Sequence, residues 1–441
     1  MKFYWTITIL IRIKNIKLSS ASIRLIRVIS VLLLLFVSCA PRDRDTDHIQ
    51  IEFWTLQLSP TFNEYFNNLI DAFESIHPGV KVRWVDVPYD LGMQRFLTGF
   101  ASGRAPDVIN LSSDFLAKAV AVDALLPVPP DRIESAGIKY FPAALETGIF
   151  NNTIYAFPWY LNTYVTIYNT RMLGDAGFDV GNLPETFGGY IDLAREYYRR
   201  TGRHAFFLTI GKDSFLPMIL ESEGVLLFDE PGTRAAFNSP RGVEIVDQWV
   251  QAFREGAFPR EAISSRATAI AQPYQSGLVA SVFTGPVFLR HIRDNAPAIY
   301  AETDVAPPLT GESGRHELAV MSIAVSSQTK HPDIATDFAL FVTNAHNQTK
   351  FARQTLIFPS TPESLDDPHF HPEGDALDAR AIRIAVESLP EAERLRTYFN
   401  HPMYDRLQDV FDEAIQRACL GRMSTQEALD WAVEEWDRIL N

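Results

Sequence analysis

Residues 101–114 read ASGRAPDVINLSSD, and the fold turns on how this stretch is parsed. Gly103 can adopt the positive φ that closes a helix, and Pro106 stops the helix from resuming. The run DVINL (107–111) is β-branched and apolar enough for an interior parallel strand. Ser112, Ser113 and Asp114 then fall at that strand's carboxyl end, the edge at which open α/β sheets bind ligands. Asp114 has two readings here, the N-cap of a helix over FLAKAVAV or a ligand contact, and the two are compatible.

Working outward, IQIEFW (49–54) alternates as a strand. It is followed by FNEYFNNLIDAFESIHPG (62–79), in which Phe62, Tyr65, Phe66, Leu69, Phe73 and Ile76 form a helical apolar stripe. VKVRWVDV (80–87) reads as a second strand and residues 90–101 as a second helix. The order strand–helix–strand–helix–strand is that of a sheet with covering helices. Downstream, LLPVPP (125–130) breaks the chain before NNTIYAFPWYLNTYVTIYNTRML (151–173), which carries a turn and two strands. A second α/β region runs through EIVDQWVQAFREG and LVASVFTG. Pro332 falls in the first turn of a further helix, and Ser424 with Glu427 is spaced as a capping box.

The ends bound the compartment. Residues 1–38 hold six basic residues and no acid, and VISVLLLLFVSC (28–39) supplies an apolar core too short for the ~20 residues that span a bilayer. LFVSC resembles a bacterial lipobox. That resemblance implies cleavage before Cys39, a lipid on its sulfur and amino group, and a short polar tether over 39–47. Loss of 38 residues leaves 403 and takes the net charge from −14 to −20, since six positive charges depart. Such an acidic body argues against nucleic acid or anionic membrane as a partner. Cys419, in an apparent helix, is then the sole remaining cysteine, which excludes an internal disulfide and reads as a buried small apolar group.

Taken in order, IEFWT, FESIHPGVKV, FASGRAPDVI, IYAFPWYLNTYVTIYNTRMLGDAGF, YQSGLVASVFTGP, APPL, SIAVSSQTKHPDIATDFALFVT, FPSTPES and STQEALDWAVEEW resemble the family 1 extracellular solute-binding proteins, sugar receptors of ABC importers. The resemblance covers nearly all of the chain after residue 38. It implies a two-lobe, type II periplasmic-binding-protein-like α/β fold, each lobe a mainly parallel sheet covered by helices, with the ligand in the cleft between them. It places crossings near residues 158–163, 321–325 and 358–363. The N-terminal lobe is then 48–158 with 326–358, and the C-terminal lobe 159–325 with 359–441.

The same resemblance implies a receptor that binds a carbohydrate or polyol and delivers it to an ABC permease with a separate ATPase. It implies no cofactor, no catalysis, a monomer, and membrane contact through the lipid alone. Sugars need aromatic faces for their C–H patches and amide, hydroxyl and carboxylate groups for their hydroxyls. The candidate ligand residues are Trp54, Gln57, Ser113, Asp114, Trp159, Tyr160, Asn162, Tyr164, Phe288 and Ser322. Core packing is the competing reading for Trp54, a hinge-fixing hydrogen bond for Asn162, and Tyr168 reads as packing. Relatives often carry a Trp just after the Gly-Pro of TGP; here Val287 stands there, followed by Phe288.

Two other classes are weighed. A glycoside-acting enzyme would need a carboxylate pair, but no G-x-S-x-G, H-E-x-x-H, P-loop or dinucleotide motif is present. A metal receptor would rest on DDPHFHPEGD (366–375), whose prolines and glycine favour a solvated loop.

Overall fold

The computed structural model describes residues 48–229, 233–264 and 271–441, so the lipobox and Cys39 lie outside the described residues. Two sheets organise the chain from Gln50 onward.

The first sheet orders its strands β12–β6–β11–β3–β1–β2, with β13 beside β11. Its members are β1 (Ile49–Leu56), β2 (Val80–Val87), β3 (Val108–Ser112), β6 (Ala156–Thr163), β11 (His316–Val325), β12 (Phe358–Pro359) and β13 (Ala392–Glu393). β4 (Ile149–Phe150) and β5 (Thr153–Ile154) form a separate small hairpin. β3 is buried at every position, as its β-branched run requires of a central strand. It pairs parallel with β1, Phe53 opposite Val108, and antiparallel with β11. Gly103, at φ 69°, follows the last turn of the helix before β3.

The second sheet orders β10–β7–β9–β8, from β7 (Val165–Asn169), β8 (His204–Phe206), β9 (Val279–Thr284) and β10 (Thr303–Ala306). Both sheets are mixed: β11 and β6, β12 and β6, β7 and β9, and β10 and β7 all pair antiparallel. This differs from the mainly parallel expectation, and the reason is the chain path. β6 leads out of the first sheet at Tyr164 straight into β7, and β11 brings the chain back, so outgoing and returning strands lie head to tail. Residues 159–163 and 316–325, expected in the C-terminal lobe, continue strands of the first sheet for that reason.

Helices α1 (Asn63–Ile76), α2 (Tyr89–Ala101) and α3 (Ser113–Val120) follow the first three strands. α1 buries Tyr65, Phe66, Leu69, Ile70 and Phe73 at helical spacing, whereas Ile76, one residue before the cap at His77, is exposed. α8 (Pro332–Val342) and α9 (Ala345–Ala352) bring Phe338 and Phe351 to the same core. There Phe66 stacks on Trp84 at 4.6 Å, and Trp159 stacks on Phe351 at 4.8 Å. (Labels α4–α7 and α10–α12 are given to Phe187–Thr201, Leu216–Ser222, Pro240–Arg254, Phe288–Asn295, Leu377–Ser388, Tyr404–Cys419 and Thr425–Leu440.) α4, α5, α6, α11 and α12 build the second core around Tyr190, Tyr197, Trp249 and Trp436. Trp436 donates to the carbonyl of Leu407 at 2.8 Å, and Cys419 is buried in this core. Ser424 and Glu427 close a reciprocal capping box on α12.

Two stability predictions follow from the packing. Trp159→Ala removes a fully buried ring from the first core and should cost about 3–5 kcal/mol. Ser424→Ala loses only a cap and should cost about 1 kcal/mol. Denaturant titration of the two variants beside the parent chain checks both the order and the sizes.

Candidate functional site

Where the first sheet's carboxyl ends meet the returning strand, the chain forms a half-open cavity of about 380 Å³. Ser112, Ser113 and Asp114 line it from the end of β3 and the start of α3, Tyr89 from the start of α2, and Tyr160 and Asn162 from β6. Residues 317–321 of β11 line it as well, with Arg394, Arg396 and Phe399 closing the far side. Four of the expected residues therefore converge: Ser113, Asp114, Tyr160 and Asn162.

Each of the four is positioned by identifiable contacts. Ser113 Oγ donates to the carbonyl of Val320 at 3.2 Å, tying the head of α3 to β11. The N-cap of α3 is Ser112, in extended conformation, so Asp114 sits one residue inside the helix rather than at the cap. Its carboxylate accepts instead from the Tyr404 hydroxyl at 2.8 Å, a bond from α3 to α11. Lys118, one turn on, pairs with Asp405 and lies 4.2 Å from the Tyr404 ring. Burial, reinforced by the Asp114 charge, pushes the Tyr404 phenol far up, so it is a proton donor throughout the physiological range. Asn162 lies against Gly285, where an added Cβ would fall 2.3 Å from Asn162 Oδ1; only glycine leaves room for this amide.

The other expected residues stand elsewhere. Trp54 is half-buried, donates its indole N–H to Glu52 and packs with the residues around Ile109 and Leu111. Gln57 is exposed at φ 56°, in a loop that Asp86 holds through the N–H groups of Leu58 and Ser59. Trp159 is wholly buried: it is the extra residue where the register of β6 against β11 slips between Tyr160 and Pro158, and its ring packs 4.8 Å from Phe351 and 4.9 Å from Tyr160. Tyr164 packs 4.8 Å from Phe283 in the second core. Phe288 is turned into the apolar cluster with Leu289 and Ile292, so it does not take the place of the missing Trp. Ser322 is fully buried in β11, with its carbonyl accepting from Asn110 at 3.2 Å. In the 366–375 segment Asp367 is paired with Arg353, and His371 Nε2 meets the carbonyl of Leu365 at 2.7 Å. Among the described residues no group of three His, Cys, Asp or Glu is placed to hold a metal ion.

The sequence reading passed over Tyr89, Glu317, Arg394, Arg396 and Phe399. Glu317 stands just before the mostly apolar run LAVMSIAV, and Arg394 and Arg396 alternate just before aromatic Tyr398 and Phe399; those were the available signals. Glu317 Oε1 accepts from Arg396 Nε and Nη2, at 3.2 and 2.8 Å. Arg396 adopts the left-handed conformation, φ 61°, an uncommon state for a side-chain-bearing residue. Its guanidinium also lies 4.8 Å from the Phe399 ring. Five buried polar atoms on the lining residues have no hydrogen-bond partner among the described residues: Ser112 Oγ, Asn162 Oδ1, Glu317 Oε2, and Arg394 Nε and Nη2.

Behind the cavity, Glu221 of α5 accepts from Thr397 N–H at 3.0 Å and Thr397 Oγ1 at 2.5 Å. Burial raises its carboxyl from 4.5 to about 7, with the neighbouring Glu317 charge adding to the rise. The folded state thus binds a proton that the unfolded chain has released. This contribution to stability is complete below pH ~4.5 and is lost as pH rises to about 7. Glu221→Gln should remove that fall; denaturation midpoints of parent and variant between pH 4 and 8 should converge at the acid end and separate above neutrality.

Residues 59–349 match the family model described as bacterial extracellular solute-binding protein. A solved periplasmic-binding protein from Synechococcus sp. MITs9220 superposes with a TM-score of 0.79 at 33% identity, over 88% of this chain and 98% of that one. The GacH receptor of Streptomyces glaucescens shares the fold at a TM-score of 0.73 and 19% identity, over 89% and 98% of the two chains. The galactooligosaccharide-binding protein of Bacillus subtilis is 22% identical over 83% of this chain and 84% of its own length. Together with the two-sheet α/β architecture, these matches show that the chain belongs to the bacterial extracellular solute-binding proteins.

Proposed function

We propose that this chain is the extracytoplasmic receptor of an ABC importer, closing its two lobes on a sugar or related polyol and handing it to a membrane permease without chemical change. One observation carries the reading: the cavity gathers buried, unpartnered donors and acceptors from β3, β6, β11 and the segment after β13. Buried polar groups normally have partners, so a hydroxyl-rich solute that both donates and accepts is the complementary ligand. Relatives named for galactooligosaccharide and arabinooligosaccharide binding support the same class. Anchoring through lipid at Cys39 belongs to this proposal too, as do a monomeric state and a separate ATPase subunit.

A thermal-shift screen over neutral oligosaccharides and polyols tests the reading. A ligand at 100 times its Kd should add about 2.7 kcal/mol of stability; a panel that shifts nothing would count against a sugar receptor. Tyr404→Phe deletes the Asp114 bond across the cleft, a bond to a charged group of about 1.5–3 kcal/mol. The variant should release a bound sugar about tenfold faster or more, with little change in melting of the free protein. Cys39→Ser should abolish lipid labelling and membrane association in cells while leaving sugar binding intact.

A further inference from the structure

We infer that Arg394 and Glu317 are the specificity-determining residues of the cleft: the guanidinium donates to ligand hydroxyl oxygens, Glu317 Oε2 accepts from a ligand hydroxyl, and together they select an uncharged sugar over its acidic counterpart. This rests on the receptor reading above and names the class of solute within it.

The geometry is specific about which atoms remain free for a ligand. Arg394 Nε–H and one Nη2–H lie along the same edge of the planar guanidinium, and both atoms are out of solvent with no partner among the described residues. Its remaining nitrogen, Nη1, reaches only the Thr147 carbonyl at 3.5 Å, the outer limit of a hydrogen bond. Arg394 is therefore a fork with one edge open. Glu317, on the same cavity wall, is the reverse case. Arg396 occupies its Oε1 twice, and its Oε2 is buried and unpartnered. Asn162 Oδ1 adds a second acceptor, and Ser112 Oγ serves either way.

Charge decides between the two kinds of sugar. The lining carries two cations, Arg394 and Arg396, and two acids, Asp114 and Glu317. Arg396 is spent on Glu317, and Asp114 is engaged by Tyr404. Burial lowers Arg394 only to about 10, which leaves it charged at neutral pH, with Glu317 its largest charged neighbour. A carboxylate or phosphate would satisfy the Arg394 edge. It would bring no hydrogen for Glu317 Oε2 or Asn162 Oδ1 at that point, and it would add a negative charge beside a buried carboxylate. A hydroxyl accepts from Arg394 and donates onward to Glu317 or Asn162, leaving the balanced lining as it stands. Sites built to pair with a hydroxyl reject analogues that leave their buried groups unpaired, and this is where such rejection would arise.

Calorimetric titration of the full chain with galacto- and arabino-oligosaccharides, oligogalacturonate and galactose 6-phosphate tests the inference. Neutral probes should bind about tenfold or more tightly than the acidic ones. Arg394→Met should weaken neutral-sugar binding at least tenfold, while the free protein melts no lower than the parent, since a buried charge without a partner is removed. Glu317→Gln should raise the ratio of acidic to neutral affinity. Acidic probes that equal or exceed the neutral ones on the parent chain would overturn the specificity assignment and leave the receptor reading intact. Arg394→Met that binds neutral sugar unchanged, or that loses affinity only by losing its fold, would overturn the role of Arg394. Failure of every probe, neutral and acidic, would overturn both readings together.

Discussion

Everything in this molecule depends on one hydrogen-bonded ribbon, the neighbouring strands β12, β6 and β11. Each contains a segment expected to cross between lobes, and the three segments pair side by side: Phe358 opposite Leu161, and Met321 opposite Tyr160. Ser360, next along from β12, donates to the carbonyl of Pro158 at 2.6 Å and takes a hydrogen bond from Gln348. Three strands that are bonded to one another cannot wander independently. The join between the sheets therefore has few ways to bend, and bending about such a join is how two-lobe proteins close without disturbing their cores. The cavity wall is built on the same ribbon, since Tyr160, Asn162 and residues 317–321 are its side chains.

That dependence explains what could be read from residues alone. The β1–α1–β2–α2–β3 unit was legible because local signals agree there: a helical stripe, the Gly103–Pro106 stop and a β-branched, mostly apolar strand. The capping box of α12 and the burial of Cys419 were equally local. Pairing direction was not, because it depends on which strands the ribbon brings together from residues 156, 316 and 358. The site divides along the same line. Ser113 and Asp114 could be found from their place at a strand's end, and Tyr160 and Asn162 from theirs at a crossing. Trp159 could not be separated from Tyr160 by composition, since a slip in the pairing of β6 with β11, and no local pattern, buries one ring fully and leaves the other on the lining. Arg394 and Arg396 reach the cavity from the far end of the chain, through β13 pairing with β11, a long-range pairing that their alternation before Tyr398 and Phe399 does not reveal.

Polar contacts join α3 to α11. Asp114 meets Tyr404, and Lys118 meets Asp405, whose side chain is 60% exposed. Exposed pairs of this kind contribute about 0–1 kcal/mol, and a hydrogen bond to a carboxylate about 1.5–3 kcal/mol. Such sums are small beside the two cores, each with buried tryptophans and tyrosines, but they match the scale on which a conformational balance is set. Carrying a two-state balance from 1:99 to 99:1 takes about 5.5 kcal/mol of differential affinity. The unpartnered atoms on the lining could each return about 0.5–1.5 kcal/mol when bonded, and more for the charged ones. A solute that bonds Ser112, Asn162, Glu317 and Arg394 together gains several of these terms at once. On the proposed receptor function, a gain of this size is what would let a bound solute shift the balance toward a closed form.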